Sequence, residues 1–187
     1  FSNPTKPIGK FYTRSEAAVL SRKGFTMKHL LKGYRRVVAS PKPLKVLNLD
    51  SIKALLCSGY TVIAGGGGGI PLIKKGKRLE FADAVLDKDY TSALLARSLH
   101  ADHFFMLTDV DGAYLNYKKK NMKLIRHISL REASKLADSG CFEEGSMLPK
   151  IRAAIDFVSH TGRSAAIGNL VKVEDVIRFR NCTVVRP

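Results

Sequence analysis

Five consecutive glycines and four small clusters of charged residues are where this chain could do chemistry. Gly65–Gly69 follows the β-type stretch Tyr60-Thr61-Val62-Ile63 and ends in Ile70-Pro71. Glycine reaches positive φ cheaply and lets a ligand approach bare backbone. A glycine-rich turn at the end of a strand is where α/β folds direct N–H groups toward phosphates and other anions. A flexible surface loop is the alternative, although such loops usually mix glycine with Ser, Asn or Asp. Ile70-Pro71 stands where a P-loop needs Lys-Ser or Lys-Thr, and no frame supplies the final glycine of the dinucleotide pattern. The run therefore indicates an anion without saying which one.

Asp87-Lys88-Asp89 precedes an Ala- and Leu-rich segment, so an N-cap aspartate with a neighbouring ion pair competes with a catalytic role. Thr108-Asp109-Val110-Asp111-Gly112 follows an apolar run, at the strand end where ligands collect in open α/β sheets; a simple Asp-Gly turn is the alternative. It lacks the remaining ligands of a calcium loop. Gly145-Ser146-Met147-Leu148-Pro149-Lys150 opens a helix with Pro149 expected at its first position. A lysine there opposes the helix macrodipole unless an anion intervenes, which makes Lys150 a phosphate-binding candidate. Lys6, between Pro4 and Pro7, is either a cation on a stiffened backbone or an ordinary exposed lysine. The five histidines show no metal-ligand spacing, and no nucleophile–base pair can be read. Cations, backbone amides and aspartates without a covalent nucleophile are the equipment of phosphoryl transfer, in which positioning and charge neutralisation do most of the work.

These residues need a scaffold, and the chain alternates helices and strands from Val46 onward. Helices are expected over Leu49–Ser58, Asp89–Leu99, Leu130–Asp138 and Lys150–His160. Strands are expected at Thr61–Ala64, Phe104–Thr108, Ala165–Ile167 and Thr183–Val185. The continuous apolar run Phe104–Leu107 is typical of a parallel strand covered on both faces. Such alternation predicts an α/β fold with a mainly parallel sheet. Residues 1–43 differ: two proline-bounded stretches enclose a helix opened by the capping box Thr13-Arg14-Ser15-Glu16 and a strand at Tyr34–Ala39. This unit has too little apolar mass to stand alone and is expected to be a lid or excursion from residues 44–187.

Composition narrows the partners. With 32 Lys and Arg against 16 Asp and Glu, the chain carries a net charge of +16, which favours anions. Its densest clusters, Lys74-Lys75-Gly76-Lys77-Arg78 and Lys118-Lys119-Lys120, resemble turn tips rather than a nucleic-acid module, so no specific nucleic-acid partner is expected. No apolar stretch approaches a membrane span. Three scattered cysteines, Cys57, Cys141 and Cys182, match neither a disulfide framework nor a zinc pattern and fit a reducing cytoplasm. Phe1 is not an initiator Met, and the chain is expected to be an excerpt or a cleaved product.

In this order, the motifs Asn3–Gly9, Arg35–Pro43, Gly66–Pro71, Ala84–Asp89, Leu107–Asn116 and Gly145–Lys150 resemble the amino-acid kinase superfamily and, within it, the carbamate kinases. The first two are the more specific, because they resemble the protruding subdomain of carbamate kinases. The resemblance implies an αβα sandwich, incomplete at its N-terminus. It implies reversible phosphoryl transfer, ATP + carbamate to ADP + carbamoyl phosphate, running toward ATP in arginine fermentation. By motif, Lys150 would contact the transferring phosphoryl group, Asp89 would orient lysines around it, and Lys6 would reach in from the protruding unit. Gly66, Gly67, Gly68 and Gly69 would lie beside carbamate and phosphoryl. Thr108, Asp109, Val110, Asp111, Gly112, Tyr114, Gly145, Ser146 and Met147 would line the nucleotide site. Magnesium would bridge nucleotide phosphates with few or no protein ligands, and a cytoplasmic homodimer is implied. The family's first strand and its Gly-Gly-Asn loop have no counterpart here, and Leu148 replaces the usual glycine. A degenerate remnant that binds nucleotide or a partner is therefore the competing expectation.

Overall fold

A capping box starts the first helix, and a small antiparallel sheet forms around it. The computed structural model describes residues 1 and 4–187; Asn3, which opens the first motif, lies outside the described residues. Strand β1 (Lys6–Tyr12), helix α1 (Arg14–Arg22), β2 (Met27–Leu30) and β3 (Gly33–Val38) make a sheet of order β1-β3-β2. Thr13 Oγ1 accepts from the Glu16 amide at 3.3 Å while the Glu16 carboxylate accepts from the Thr13 amide at 2.7 Å, a cap worth about 1 kcal/mol. Ala17 of α1 and Val37 and Val38 of β3 are buried. The β1–β3 register places Lys6 opposite Val38, at the end of the unit nearest the rest of the chain. There a parallel bridge joins Ala39 to Ala84, and the Val85 amide donates to the Ala39 carbonyl at 3.0 Å.

The next stretch packs loosely. Helix α2 (Leu49–Cys57) buries only Ile52, and the hairpin β4 (Leu72–Lys75) and β5 (Arg78–Phe81) turns at Gly76, inside one of the lysine-rich clusters. Among the described residues, neither packs extensively on any other element. Thr61–Ala64, expected as a strand of the sheet, pairs with no strand among the described residues. Its apolar, β-branched composition suits a strand, but a strand exists only by pairing, and nothing described lies alongside to supply the ladder.

From α3 (Lys88–Ser98) onward the layers close. Strand β6 (Phe104–Thr108) leads to the short hairpin β7 (Tyr114–Leu115) and β8 (Lys123–Leu124), then β9 (His127–Ser129) and α4 (Leu130–Asp138). Helix α5 (Met147–Thr161), β10 (Ala165–Asn169), α6 (Val173–Ile177) and β11 (Thr183–Arg186) complete the chain. The main sheet runs β6-β10-β11-β9, parallel at β6–β10 and β11–β9 and antiparallel at β10–β11. The fold class is thus α/β with a mainly parallel sheet, though β11 runs against β10 and β9 takes a place in the sheet that the sequence pattern did not reveal. Helices α3, α4 and α5 cover one face around Phe104, Met106, Ile151 and Phe157. Helix α6 covers the other around Ala166, Val176 and Val184, giving αβα layering. Ala93, Ala153 and Ala154 are fully buried, which allows α3 and α5 a close approach.

Candidate active site

Two aspartates at the start of α3 collect three lysines from three parts of the chain. Asp87 is the N-cap, its carboxylate accepting from the Asp89 amide at 2.9 Å. The same carboxylate accepts from Lys6 Nζ, which arrives from β1. Asp89 accepts from Lys150 Nζ at 2.9 and 3.1 Å and from Lys88 Nζ at 3.0 Å. Asp87, Asp89 and Lys150 are all buried. Three ammonium groups against two carboxylates leave an excess positive charge, and low dielectric strengthens its pull on an anion.

The protonation equilibria reflect this crowding. Burial pushes the Lys150 ammonium below its ordinary value, and neighbouring Lys88 adds to the fall while Asp89 opposes it. Burial also disfavours the Lys88 charge, but its hydrogen bonds and the neighbouring Asp89 and Asp87 charges together outweigh that and move it upward. Burial of Asp87 is likewise outweighed, by the hydrogen bonds from Lys6 and the Asp89 amide, so its carboxyl sits below its ordinary value.

The glycine run is anchored beside this cluster. Thr91 of α3 donates through Oγ1 to the Gly68 carbonyl at 2.8 Å, and the Gly68 amide closes a turn onto the Gly65 carbonyl at 2.8 Å. Gly68 has φ +133°, and a Cβ there would stand 2.2 Å from the Leu86 carbonyl oxygen, so only glycine fits. Among the described residues, the amides of Gly66, Gly67 and Gly69 donate to no backbone acceptor.

A separate cleft of about 210 Å³ lies between the end of β6 and the start of α5. It brings together seven of the residues expected at a nucleotide: Thr108, Asp109, Val110, Gly112, Tyr114, Ser146 and Met147. Asp111 and Gly145 do not line it. Asp111 accepts instead from Lys172 Nζ at 3.0 Å and Asn169 Nδ2 at 3.1 Å, and the Lys172 bond holds its carboxyl below the ordinary value. Buried Thr183 braces the loop, accepting from the Ala113 amide at 2.8 Å and donating to the Ile125 carbonyl at 2.6 Å. Tyr117, Lys118, Cys141, Phe142 and Glu143 also line the cleft; the sequence marked Lys118 only as part of a turn tip and Cys141 only as a scattered thiol, and the other three not at all. Helix α5 begins at Met147, so Pro149 is its third residue rather than its first, and Lys150 lies one turn inside with Asp89 for a partner.

Comparison with known proteins follows the same outline, since residues 10–169 match the amino acid kinase family. The chain belongs to that family. "Carbamate kinase-like protein YqeA" of Escherichia coli strain K12 is 45% identical over 187 residues, covering 99% of this chain and 60% of the relative. "Carbamate kinase" of Thermoplasma volcanium is 43% identical, covering 100% of this chain and 61% of the relative. Among solved structures, carbamate kinase from Giardia lamblia bound to AMP-PNP superposes with a TM-score of 0.87 at 40% identity, over all of this chain and 60% of that one. A protein from Aeropyrum pernix reaches 0.92 at 42% identity, over 100% and 61%. This amino acid kinase chain therefore spans about 60% of the length of the relatives it matches.

The Lys–Asp cluster joins Asp89, Lys150 and Lys6, three residues chosen from sequence, and adds Asp87 and Lys88. Both additions had a legible signal. They flank Asp89 in a segment that also reads as an ordinary N-cap, and they serve as cap and charged partners together. No group of three or more His, Cys, Asp or Glu able to hold a metal occurs among the described residues.

Proposed function

We propose that this chain carries the phosphoryl-clamping and nucleotide-binding parts of a carbamate kinase, which interconverts ATP and carbamate with ADP and carbamoyl phosphate, in the ATP-forming direction during arginine fermentation. The observation that carries the reading is the five-residue cluster in which Lys150 and Lys88 meet Asp89 while Lys6 meets Asp87. Phosphoryl transfer asks a protein mainly for position and positive charge, and the cluster offers three ammonium groups on a buried frame.

In this reading Lys150 neutralises charge on the transferring phosphoryl group, and Asp89 keeps Lys150 and Lys88 oriented toward it. Lys6 closes the site from residues 1–43, which act as a lid over residues 44–187, with Asp87 holding that lysine in place. The amides of the Gly66–Gly69 loop face carbamate and the phosphoryl oxygens. The cleft of Thr108, Asp109, Val110, Gly112, Tyr114, Ser146 and Met147 takes the nucleotide; Asp111 and Gly145 support its walls. Magnesium, when bound, neutralises the nucleotide's own phosphate oxygens. Asp87 and Asp89 are engaged by lysines, so the nucleotide is the ion's principal holder. A cytoplasmic homodimer completes the proposal.

A second reading has a specific basis. The E. coli relative is called carbamate kinase-like rather than carbamate kinase, and a non-catalytic binder of nucleotide or a partner is the reading that would go with such a difference. One assay separates the two: ATP formation from ADP, magnesium and carbamoyl phosphate, with Lys150→Ala beside the unaltered chain. ATP formed by the unaltered chain, and lowered about 100-fold or more by the substitution, supports the kinase. ADP binding with no transfer by the folded chain supports the binder, and transfer unaffected by the substitution removes Lys150 from the mechanism.

A further inference from the structure

The nucleotide cleft carries a carboxylate that the proposed reaction leaves without a task. Glu143 lines it next to Phe142, just ahead of α5. Its backbone carbonyl accepts from the Ser146 amide at 3.2 Å and the Leu148 amide at 3.1 Å, closing the turn that opens α5. Its side chain is held on the same turn. Glu143 Oε2 accepts from Ser146 Oγ at 2.9 Å, while Oε1 has no hydrogen-bond partner among the described residues. A carboxylate can accept several hydrogen bonds, so the group has capacity left for a donor that enters the cleft.

The parts of a nucleotide ask for different surroundings. Phosphates ask for cations, and three lysines meet at Asp87 and Asp89, Lys150 among them one turn into α5. A base asks for aromatic walls, which Tyr114 and Tyr117, with rings 5.9 Å apart, and buried Phe142 provide. Lys118, the ammonium among the lining residues, lies 5.3 Å over the Tyr117 ring and so belongs to that aromatic side. Glu143 falls between these ends along the chain, with Phe142 before it and Ser146 and Met147 after it. A carboxylate there repels phosphate and suits hydroxyl donors, and the sugar joining base to phosphates carries an adjacent pair of them. We propose that Glu143 determines sugar specificity in this cleft: its carboxylate accepts from the ribose hydroxyls, so ribonucleotides bind in preference to their 2′-deoxy counterparts. The proposal rests on the reading of this cleft as a nucleotide site. Ser146, donating to Oε2, keeps the carboxylate in place and leaves Oε1 for the sugar. Asp109 is the other carboxylate lining the cleft, on the loop after β6, where Thr108 Oγ1 donates to it at 3.1 Å.

The test is calorimetric titration of the whole 187-residue chain with ADP and with 2′-deoxy-ADP, both with magnesium, so that affinity is read without turnover. ADP is expected to bind about fivefold or more tightly, the effect of one hydrogen bond to a charged acceptor that is exposed before the ligand enters. Glu143→Ala should bring the two affinities within about twofold by weakening ADP alone. Glu143→Gln, which keeps an acceptor oxygen without the charge, should fall between the unaltered chain and Glu143→Ala. Equal weakening of both nucleotides would make Glu143 a brace of the α5 turn and overturn the proposal. So would a preference for ADP that survives Glu143→Ala, or one that Asp109→Asn abolishes while Glu143→Ala does not. Failure of the nucleotide reading has a different signature: the folded, unaltered chain then binds neither nucleotide, and the proposal falls with it.

Discussion

Two stretches of this chain use the same apolar residues to opposite effect. In the layer built by α3, α5 and the main sheet, Ile151 and Phe157 are fully buried; in the stretch from α2 to β5, Ile63 is 98% and Phe81 80% exposed. Residue type is shared, and what differs is the presence of a surface to pack against. The ring of Phe157 meets that of Phe104 at 5.4 Å between centroids, and Ala93, Ala153 and Ala154 let the helices close around them. Among the described residues, nothing comparable faces α2. Burial stabilises by about 25 cal/mol per Å² of apolar surface only where that surface leaves water. The catalytic candidates follow the same division. Asp89 and Lys150 sit on the closed layer and are held by short ion pairs, whereas the Gly66, Gly67 and Gly69 amides, without a backbone acceptor among the described residues, lie within the open stretch.

Substitutions can break or sharpen that contrast. Phe157→Ala should cost about 3–5 kcal/mol in the closed layer, measured by chemical denaturation. A cost below about 1 kcal/mol would mean that the layer is not the stable unit. Gly68→Ala should cost about 1–3 kcal/mol, because the added methyl meets the Leu86 carbonyl and φ is +133°. This glycine is the one buried point of the loop, so an effect as small as that of a surface change would place the loop wholly in the open region.

Asp87 gives a pH test at the seam between β1 and α3. Its folded carboxyl lies below the ordinary 3.8, so between the folded and unfolded values the unfolded chain binds more protons. The stabilisation is complete above about pH 4 and is lost as pH falls further. Melting temperature followed from neutral pH into that acid range should fall less steeply for Asp87→Asn than for the unaltered chain; parallel curves would remove the Lys6–Asp87 pair from the stability of the seam. The smallest effect belongs to the open stretch. Phe81→Ser should change the stability of the chain alone by no more than about 0.5 kcal/mol, since its ring already lies in water. A large loss on denaturation would mean that the hairpin contributes to the core after all.

Much of the closed layer was legible in the residues. Phe104–Thr108 is a strand as its continuous apolar run requires, and Thr13 and Asp87 cap helices as their side chains and spacing suggest. The turn tips at Gly76 and at Lys118–Lys120 also match their composition. What escaped were short or charged strands. Lys6–Tyr12 and Met27–Leu30 have no clean alternation and become strands because Gly33–Val38 lies between them, while His127–Ser129 is too short to register and is held by β11. Thr61–Ala64 failed in the opposite sense, having the composition of a strand but no neighbour.

The same division runs through the candidate site. Sequence alone determined that the chain would be α/β, and it named the candidate cations, aspartates and glycine run, because these follow from residue chemistry and local periodicity; that Gly68 must be glycine came from the Leu86 carbonyl beside it. The tertiary structure decided how the charges pair. Lys150 meets an aspartate 61 positions away and Lys6 one 81 positions away, and no local rule assigns such partners. It also decided that Asp111 turns to Lys172 rather than into the cleft, and that Tyr117, Lys118 and Phe142 line it. The reason is physical: propensity and spacing act over a few residues, whereas burial and ion pairing act between surfaces that only the folded chain brings together.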